Sequence, residues 1–334
     1  MSSIKYIQKY LVLGLALLST GTAWAQEPHF TQYASAPFII NPAFTGVFNG
    51  KMRVMANLRQ QWSSLGSPYS TSLLAMDAKL FDEEGYAQNP FNMGVQFVTD
   101  RSMKGAFQTN FITATSSYHV ALNFKGDQTL GLGMSIGYGN RKIDFSSLST
   151  ESQFTDAGFD LTLPNGELGL GSVKPYLTTG AGLLYCYNNE NEGTFFDFGV
   201  SAFNLNQPLQ TFLYDSKEVV PLRMAAQASL QKYMYGNLLL NVKMLYQSQA
   251  NTDYLVSGFS MARLMEEDDV EADMIGVGLW YRTGDAIAPM VFGEFNQFKV
   301  GLSYDIQING LRKNTMPANS MELSLQWRMI KSKK

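Results

Sequence analysis

The sequence predicts an all-β fold: a transmembrane antiparallel outer-membrane β-barrel of about 14 strands. Three observations lead there. The first is two strictly alternating stretches near the C-terminus. Phe298, Val300, Leu302, Tyr304, Ile306 and Ile308 share one parity, against Lys299, Gly301, Ser303, Asp305 and Gln307. Met321, Leu323, Leu325, Trp327 and Met329 alternate likewise with Glu322, Ser324, Gln326 and Arg328. A period of two over about ten residues is a strand with one apolar and one polar face, and such a strand, tilted, crosses a bilayer. The second observation is an export leader. Lys5 and Lys9 precede the apolar run Leu11 to Leu18, and Ala23-Trp24-Ala25 is a small-residue cleavage site. The third is composition. Charged residues are 16% of the 334-residue chain, aromatics 13%, and there are 29 glycines. Low charge with many aromatics and glycines suits a barrel whose outside meets hydrocarbon.

Taken in order, residues 1–25 read as a signal peptide cleaved near Ala25, leaving Gln26 first in the mature chain. A single anchoring helix is the competing reading, but the run is short for a span and small residues follow it. No Cys follows the cleavage site, which argues against a lipid anchor. Beyond the leader no apolar run reaches the roughly eighteen residues of a membrane helix. A net charge of −3 suits neither a nucleic-acid binder nor a polybasic surface protein. The single Cys186 lies in a strand pattern and reads as a small packed residue.

Residues 26–50 form an arm ahead of the first strand. It is either a plain lead-in or an ordered segment packed inside the barrel. Phe30, Tyr33, Phe38, Ile39, Ile40 and Phe44 make it too apolar for a free periplasmic tail. Pro42 holds Asn41 extended, and Gly46 can take positive φ. The barrel itself occupies 51–334. Strands are expected near 51–60, 70–80, 91–99, 109–121, 130–140, 176–187, 195–205, 222–232, 237–246, 252–261, 273–282, 288–296, 298–308 and 321–330. The alternation is plain in Leu130, Leu132, Met134, Ile136 and Tyr138, and again in Ile275, Val277, Leu279 and Tyr281. It is weakest at 70–80 and at 288–296, where Pro289 cannot donate to a ladder.

Charge decides which face is which. Arg53, Asp77, Asp197, Arg223, Lys243, Arg282, Lys299, Asp305 and Arg328 all fall on the polar parity. A lipid-facing Arg or Lys at mid-bilayer costs about 2–4 kcal/mol. Several would exceed the stability of about 5–15 kcal/mol of an ordinary domain. These side chains are therefore expected in the lumen, paired with one another or with the arm. Tyr138, Tyr246, Tyr281, Tyr304 and Trp327 share the apolar parity near strand ends, where aromatic girdles belong. With the N-terminus on the periplasmic side, the long connections near 141–175, 206–221 and 309–320 face outward. Most periplasmic turns are short; one, Arg263 to Ala272, carries Glu266-Glu267-Asp268-Asp269.

The mature start, QEPHFTQYASAPFIINPAFTG, resembles the opening of the PorP/SprF family of type IX secretion system membrane proteins. Asn41-Pro42-Ala43, with Phe44 and Gly46 behind it, matches the family's Asn-Pro-Ala element. Arg59-Gln60-Gln61-Trp62 matches an Arg-x-Gln-Trp element, followed by Gly66, Pro68 and Thr71. Gly278 to Arg282, Val300 to Asp305 and Glu322 resemble its C-terminal signature. The end departs from many outer-membrane barrels, running through Ile330 to Lys331, Lys333 and Lys334 rather than stopping on an aromatic. The resemblance implies an outer-membrane component of type IX secretion in Bacteroidota-like bacteria. It would support export or surface attachment of cargo such as gliding adhesins. Implied partners are other secretion components and cargo C-terminal regions, with outer-membrane lipid around the barrel.

Enzyme readings fare poorly. His29 and His119 have no Cys or His neighbour at metal-ligand spacing, and no Gly-x-Ser-x-Gly element is present. No catalytic, metal or cofactor residue is expected. The acidic run 266–269 lacks the glycine and spacing of a calcium loop. Gly131 and Gly133 alternate within a strand and read as small lumen-facing residues rather than a phosphate loop. Two functional classes remain: a protein-binding secretion component with a closed lumen, or a passive porin for small solutes. A soluble periplasmic β-protein conflicts with the outward apolar stripes.

Overall fold

The computed structural model describes residues 30–330 apart from 64–67, 81–90, 146–147, 157, 161, 165, 167–173, 190, 211–217, 236, 266–272 and 309–318. The leader, its cleavage site, His29, Gly66 and the acidic run 266–269 lie outside the described residues.

Strands β1 (Met52–Gln61), β2 (Tyr69–Lys79), β3 (Phe91–Ser102), β4 (Phe107–Ala121) and β5 (Gln128–Ile143) are followed by a two-stranded hairpin, β6 (Phe154–Thr155) and β7 (Gly158–Phe159). Then come β8 (Tyr176–Asn189), β9 (Thr194–Phe203), β10 (Arg223–Met234), β11 (Leu238–Gln249), β12 (Thr252–Leu264), β13 (Met274–Arg282), β14 (Ala286–Phe295), β15 (Phe298–Gln307) and β16 (Ser320–Met329). All except β6 and β7 close into one antiparallel barrel of fourteen strands, with β1 paired to β16. Each expected strand is present. No described helix is long and apolar enough to cross a membrane.

Alternation fixes the two faces. Leu302, Tyr304, Met321, Leu323 and Leu325 are exposed, while Ser303, Asp305, Glu322 and Ser324 between them are buried. A one-residue slip would carry every charge to the hydrocarbon, so the pattern specifies register strongly. Tyr246, Tyr281 and Tyr304 ring one end of the outer face, with Tyr118, Phe295 and Phe298 near the other. Charged residues exposed in strands lie near the rims, as at Arg101, Lys142, Asp253 and Arg263. Pro289 is exposed in β14 and pairs with Leu279 of β13. The β14–β15 ladder skips from Ile287↔Ile306 to Met290↔Ser303 around it, as a residue without an N–H requires.

β1 begins and β16 ends at the same rim, because the strand number is even. The turns there include the tight connection between β14 and β15. The opposite rim carries the connections between β5 and β8, β9 and β10, and β15 and β16, which are long. Short turns mark the periplasmic side of an outer-membrane barrel and long loops the outer side.

Candidate functional site: the lumen and its arm

Residues 30–50 lie inside the barrel. Two short 3-10 turns, Tyr33–Ser35 and Pro42–Phe44, flank the single helical turn α1 (Pro37–Ile40). Pro37 starts α1, where a missing N–H costs nothing. Asn41 ends it in the extended conformation that Pro42 imposes, with φ −155° and ψ 121°. Phe30, Tyr33, Phe38, Ile40 and Ala43 are buried. The arm starts deep in the outer half, beside the far end of β1, and descends to the periplasmic rim where β1 begins.

Four charged side chains hold its start. Arg59 (β1), Arg282 (β13), Asp305 (β15) and Glu322 (β16) all point inward. Arg59 bridges Asp305 at 2.8 Å and Glu322 at 3.0 Å. Arg282 reaches Asp305 at 3.1 Å and Asp285 at 2.5 Å. Two strand guanidiniums thus face two strand carboxylates, so no net charge is buried among the four. The arm adds to their coordination. The Thr31 backbone N–H donates to Glu322 Oε2 at 2.8 Å, and that of Gln32 to Oε1 at 3.0 Å. Thr31 Oγ1 donates to Asp305 and accepts from Arg59 Nη1 at 2.5 Å and Arg282 Nη1 at 3.1 Å. Gln32 Nε2 donates to Ser303 Oγ, while its Oε1 accepts from Ser324 Oγ at 2.7 Å. The assembly spans the β1–β16 seam, where Arg59 stands opposite Glu322.

The middle of the arm is seated differently. Asn41 Nδ2 donates to the Leu183 carbonyl at 2.9 Å, and its Oδ1 accepts from the Ala43 N–H. The walls here must be bare. A Cβ at Gly133 would lie 2.1 Å from the Ala43 nitrogen, and one at Gly182 would lie 2.0 Å from Asn41 Oδ1. Ser201 Oγ donates to the Ile40 carbonyl and Arg223 Nη1 to that of Ile39. Toward the periplasm, Thr45 bonds Thr115 and Ser117. The Gly46 N–H donates to Asp77 Oδ2 at 2.8 Å, at a positive φ of 78°. Asp77 in turn receives Arg53 through Nε and Nη2, at 2.9 and 2.8 Å.

Apolar packing completes the seat. Phe30 and Phe38 sit on inward Met55, Leu73, Ala75 and Val98. Tyr33 and Ile40 sit on Ala225, Leu245, Val256, Trp280 and Ala288, with Tyr33 edge-on to Trp280 at 5.2 Å. These inward apolar residues break the polar face of their strands at the places the arm covers.

Below the arm lies a cavity of about 1310 Å³ that opens at the periplasmic rim and is roofed by Gln32, Ala34 and Ser35. Asp197, Lys243, Lys299 and Arg328 line it. Glu294 pairs with Arg328 and, at 3.4 Å, with Lys299.

The positions singled out from sequence therefore separate. Asn41, Pro42, Ala43, Gly46, Arg59, Arg282, Asp305 and Glu322 meet at the arm and its clamp, joined there by Arg53 and Asp77. Asp197, Lys243, Lys299 and Arg328 line the cavity instead. Two stand apart. Trp62 sits at the outer rim with φ 56°, tilted on Tyr69 at 6.5 Å. Tyr304 faces outward, its hydroxyl accepting from Asn319. Sequence reasoning missed Thr31, Gln32, Ser303, Ser324 and Gly182, while it placed Gly133 as a small lumen-facing residue without the arm it receives. The one available signal was the run of inward glycines in β5, β8 and β9. No described group of three or more His, Cys, Asp or Glu side chains is placed to hold a metal.

The clamp is built from the sequence's most distinctive elements, and the same sequence matches the description "Type IX secretion system membrane protein PorP/SprF" over residues 23–327. The chain belongs to the PorP/SprF family. It is an outer-membrane β-barrel. Among curated proteins none matches it. Among solved structures it is similar to CdiB from Acinetobacter baumannii, at 5% identity and a TM-score of 0.44, over 83% of this chain. It spans 60% of the length of CdiB. It is also similar to the P. putida toluene transporter TodX, at 10% identity and a TM-score of 0.46, over 86% of this chain and 92% of that one. A Pseudomonas aeruginosa FadL homologue gives 8% identity and 0.47, over 86% and 93%. Likeness at this level carries no functional inference.

Proposed function

We propose that this PorP/SprF barrel acts in type IX secretion as a protein-binding component that supports export or surface attachment of specific cargo, and that its lumen is not a solute path. One observation carries the reading: residues 30–50 occupy the lumen from its outer half down to the periplasmic rim, clamped at their start by Arg59, Arg282, Asp305 and Glu322. A porin needs a continuous wet pathway. Here the pathway is interrupted by buried aromatics and by ion pairs formed within the protein. With the bore occupied, binding falls to the rims, where exported cargo and other secretion components meet the barrel. The family membership supports the pathway and the closed lumen supports the mode.

The test is made in the native cell. Deleting the gene is expected to leave particular secreted proteins inside the envelope or shed into the medium, with restoration by the wild-type chain. Cargo reaching and staying on the surface in normal amounts would refute the proposal.

A further inference from the structure

We infer that the periplasmic cavity is a binding site for an acidic polypeptide segment presented from the periplasm. The cavity is a blind vestibule, because the arm forms its roof while Lys51, Lys125, Asn189 and Ile330 mark its open mouth. Its lining carries Lys51, Lys79, Lys125, Lys243, Lys299 and Arg328, against Asp127, Asp197 and Glu294. Glu294 holds two of the cations, Asp127 accepts from Asn123, and Asp197 accepts from Ser229. Counted over the described lining, six cations stand against three carboxylates. Asp197, on the far side of Ser229, is the carboxylate that acts electrostatically on Lys243. Low-dielectric walls around such a cleft focus its field toward the mouth.

Size and wall chemistry select the ligand class. Pockets for small apolar ligands run about 300–1,000 Å³ and are mostly apolar. This vestibule is larger, and its lining includes many amides, among them Asn92, Asn188, Asn189, Asn241, Gln231 and Gln326. The Oδ1 of Asn241 is a buried acceptor with no donor among the described residues. A bare carboxylate or sulfate cannot donate to it, whereas a peptide brings backbone N–H groups together with its carboxylates. Trp280 and Phe292 supply an apolar wall beside the cations. The inference rests on the protein-binding reading above, and it moves one binding surface to the periplasmic side.

The experiment uses the full chain purified in mild detergent and a short fluorescent peptide of Asp, Glu, Gly and Ser with a free C-terminus. Saturable binding by anisotropy is expected, weakening at least about tenfold as salt rises from about 0.05 to 0.5 M. The matched Asn/Gln peptide with an amidated end should bind at least about tenfold more weakly. Lys243→Gln with Lys299→Gln should lower affinity by a similar factor while leaving heat-modified gel mobility unchanged. Should that variant not fold, the peptide's protection of the wild-type Cys186 thiol, which also lines the vestibule, reads the same site. Equal binding of both peptides, or displacement by inorganic phosphate at equal charge, would overturn the inference. So would full affinity in the double variant, or no protection of Cys186. Failure here with cargo still dependent on the gene removes only the vestibule. Loss of cargo dependence with peptide binding intact removes the secretion reading instead.

Discussion

Arg59 is the most consequential side chain of the lumen. It is fully buried and contacts two carboxylates and a hydroxyl of the arm. Removing one member of a buried pair strands the others at about 3–5 kcal/mol. Arg59→Met should therefore cost about that much in denaturant unfolding in detergent, whereas Arg59→Met combined with Glu322→Met should recover part of it. A double variant that is worse by the full sum of the singles would deny the coupling. The glycines predict the opposite kind of damage. Gly182→Ala forces a Cβ onto Asn41 and should cost about 1–3 kcal/mol by overpacking. At Gly278 an added Cβ would meet nothing nearer than Ser260, 3.0 Å away, so Gly278→Ala should cost less. Equal effects in a stability assay would show that the arm does not press on β8.

At the scale of elements, strands were legible and the arm only partly so. Fourteen strands follow from alternation, because lipid on one side and a polar lumen on the other impose it residue by residue. Connection lengths followed from the same spacing. The clamp was not readable from periodicity. Arg59, Arg282, Asp305 and Glu322 lie on four strands, and only closure of β1 on β16 brings them together. Their pairing with Thr31 and Gln32 leaves no local sequence mark. Leu239 and Leu245 are apolar residues on the otherwise polar parity of β11. Leu245 packs beneath the arm, and Leu239 belongs to a separate cluster with Ala262, Leu264 and Met274. The arm's own anchoring is testable. Phe38, 1% exposed, packs on Met55 and Val98. Phe38→Ala should cost about 3–5 kcal/mol and make residues 30–50 susceptible to protease while the strands stay resistant. Arm and barrel digesting together would mean they are one cooperative unit.

For the whole molecule, lipid outside and charge inside set the energetics. Val242 and Lys243 are neighbours on β11 with opposite fates: Val242 is 44% exposed on the outer face, and Lys243 lines the vestibule. Val242→Arg should destabilise the barrel in bilayers by about 2–4 kcal/mol, and Lys243→Met by much less. The reverse order, measured by unfolding in lipid vesicles, would invert the assignment of faces. The same architecture fills the outer half of the lumen with the start of the arm and leaves a vestibule beside the arm's descending end on the periplasmic side, and function follows from that division. Planar-bilayer recording of the intact mature chain tests it most directly. No steady single-channel conductance is expected from the wild type, with openings appearing once Arg59 and Asp305 are replaced and the arm is released. Large, steady conductance from the unmodified chain would contradict the closed lumen and return the barrel to the porins.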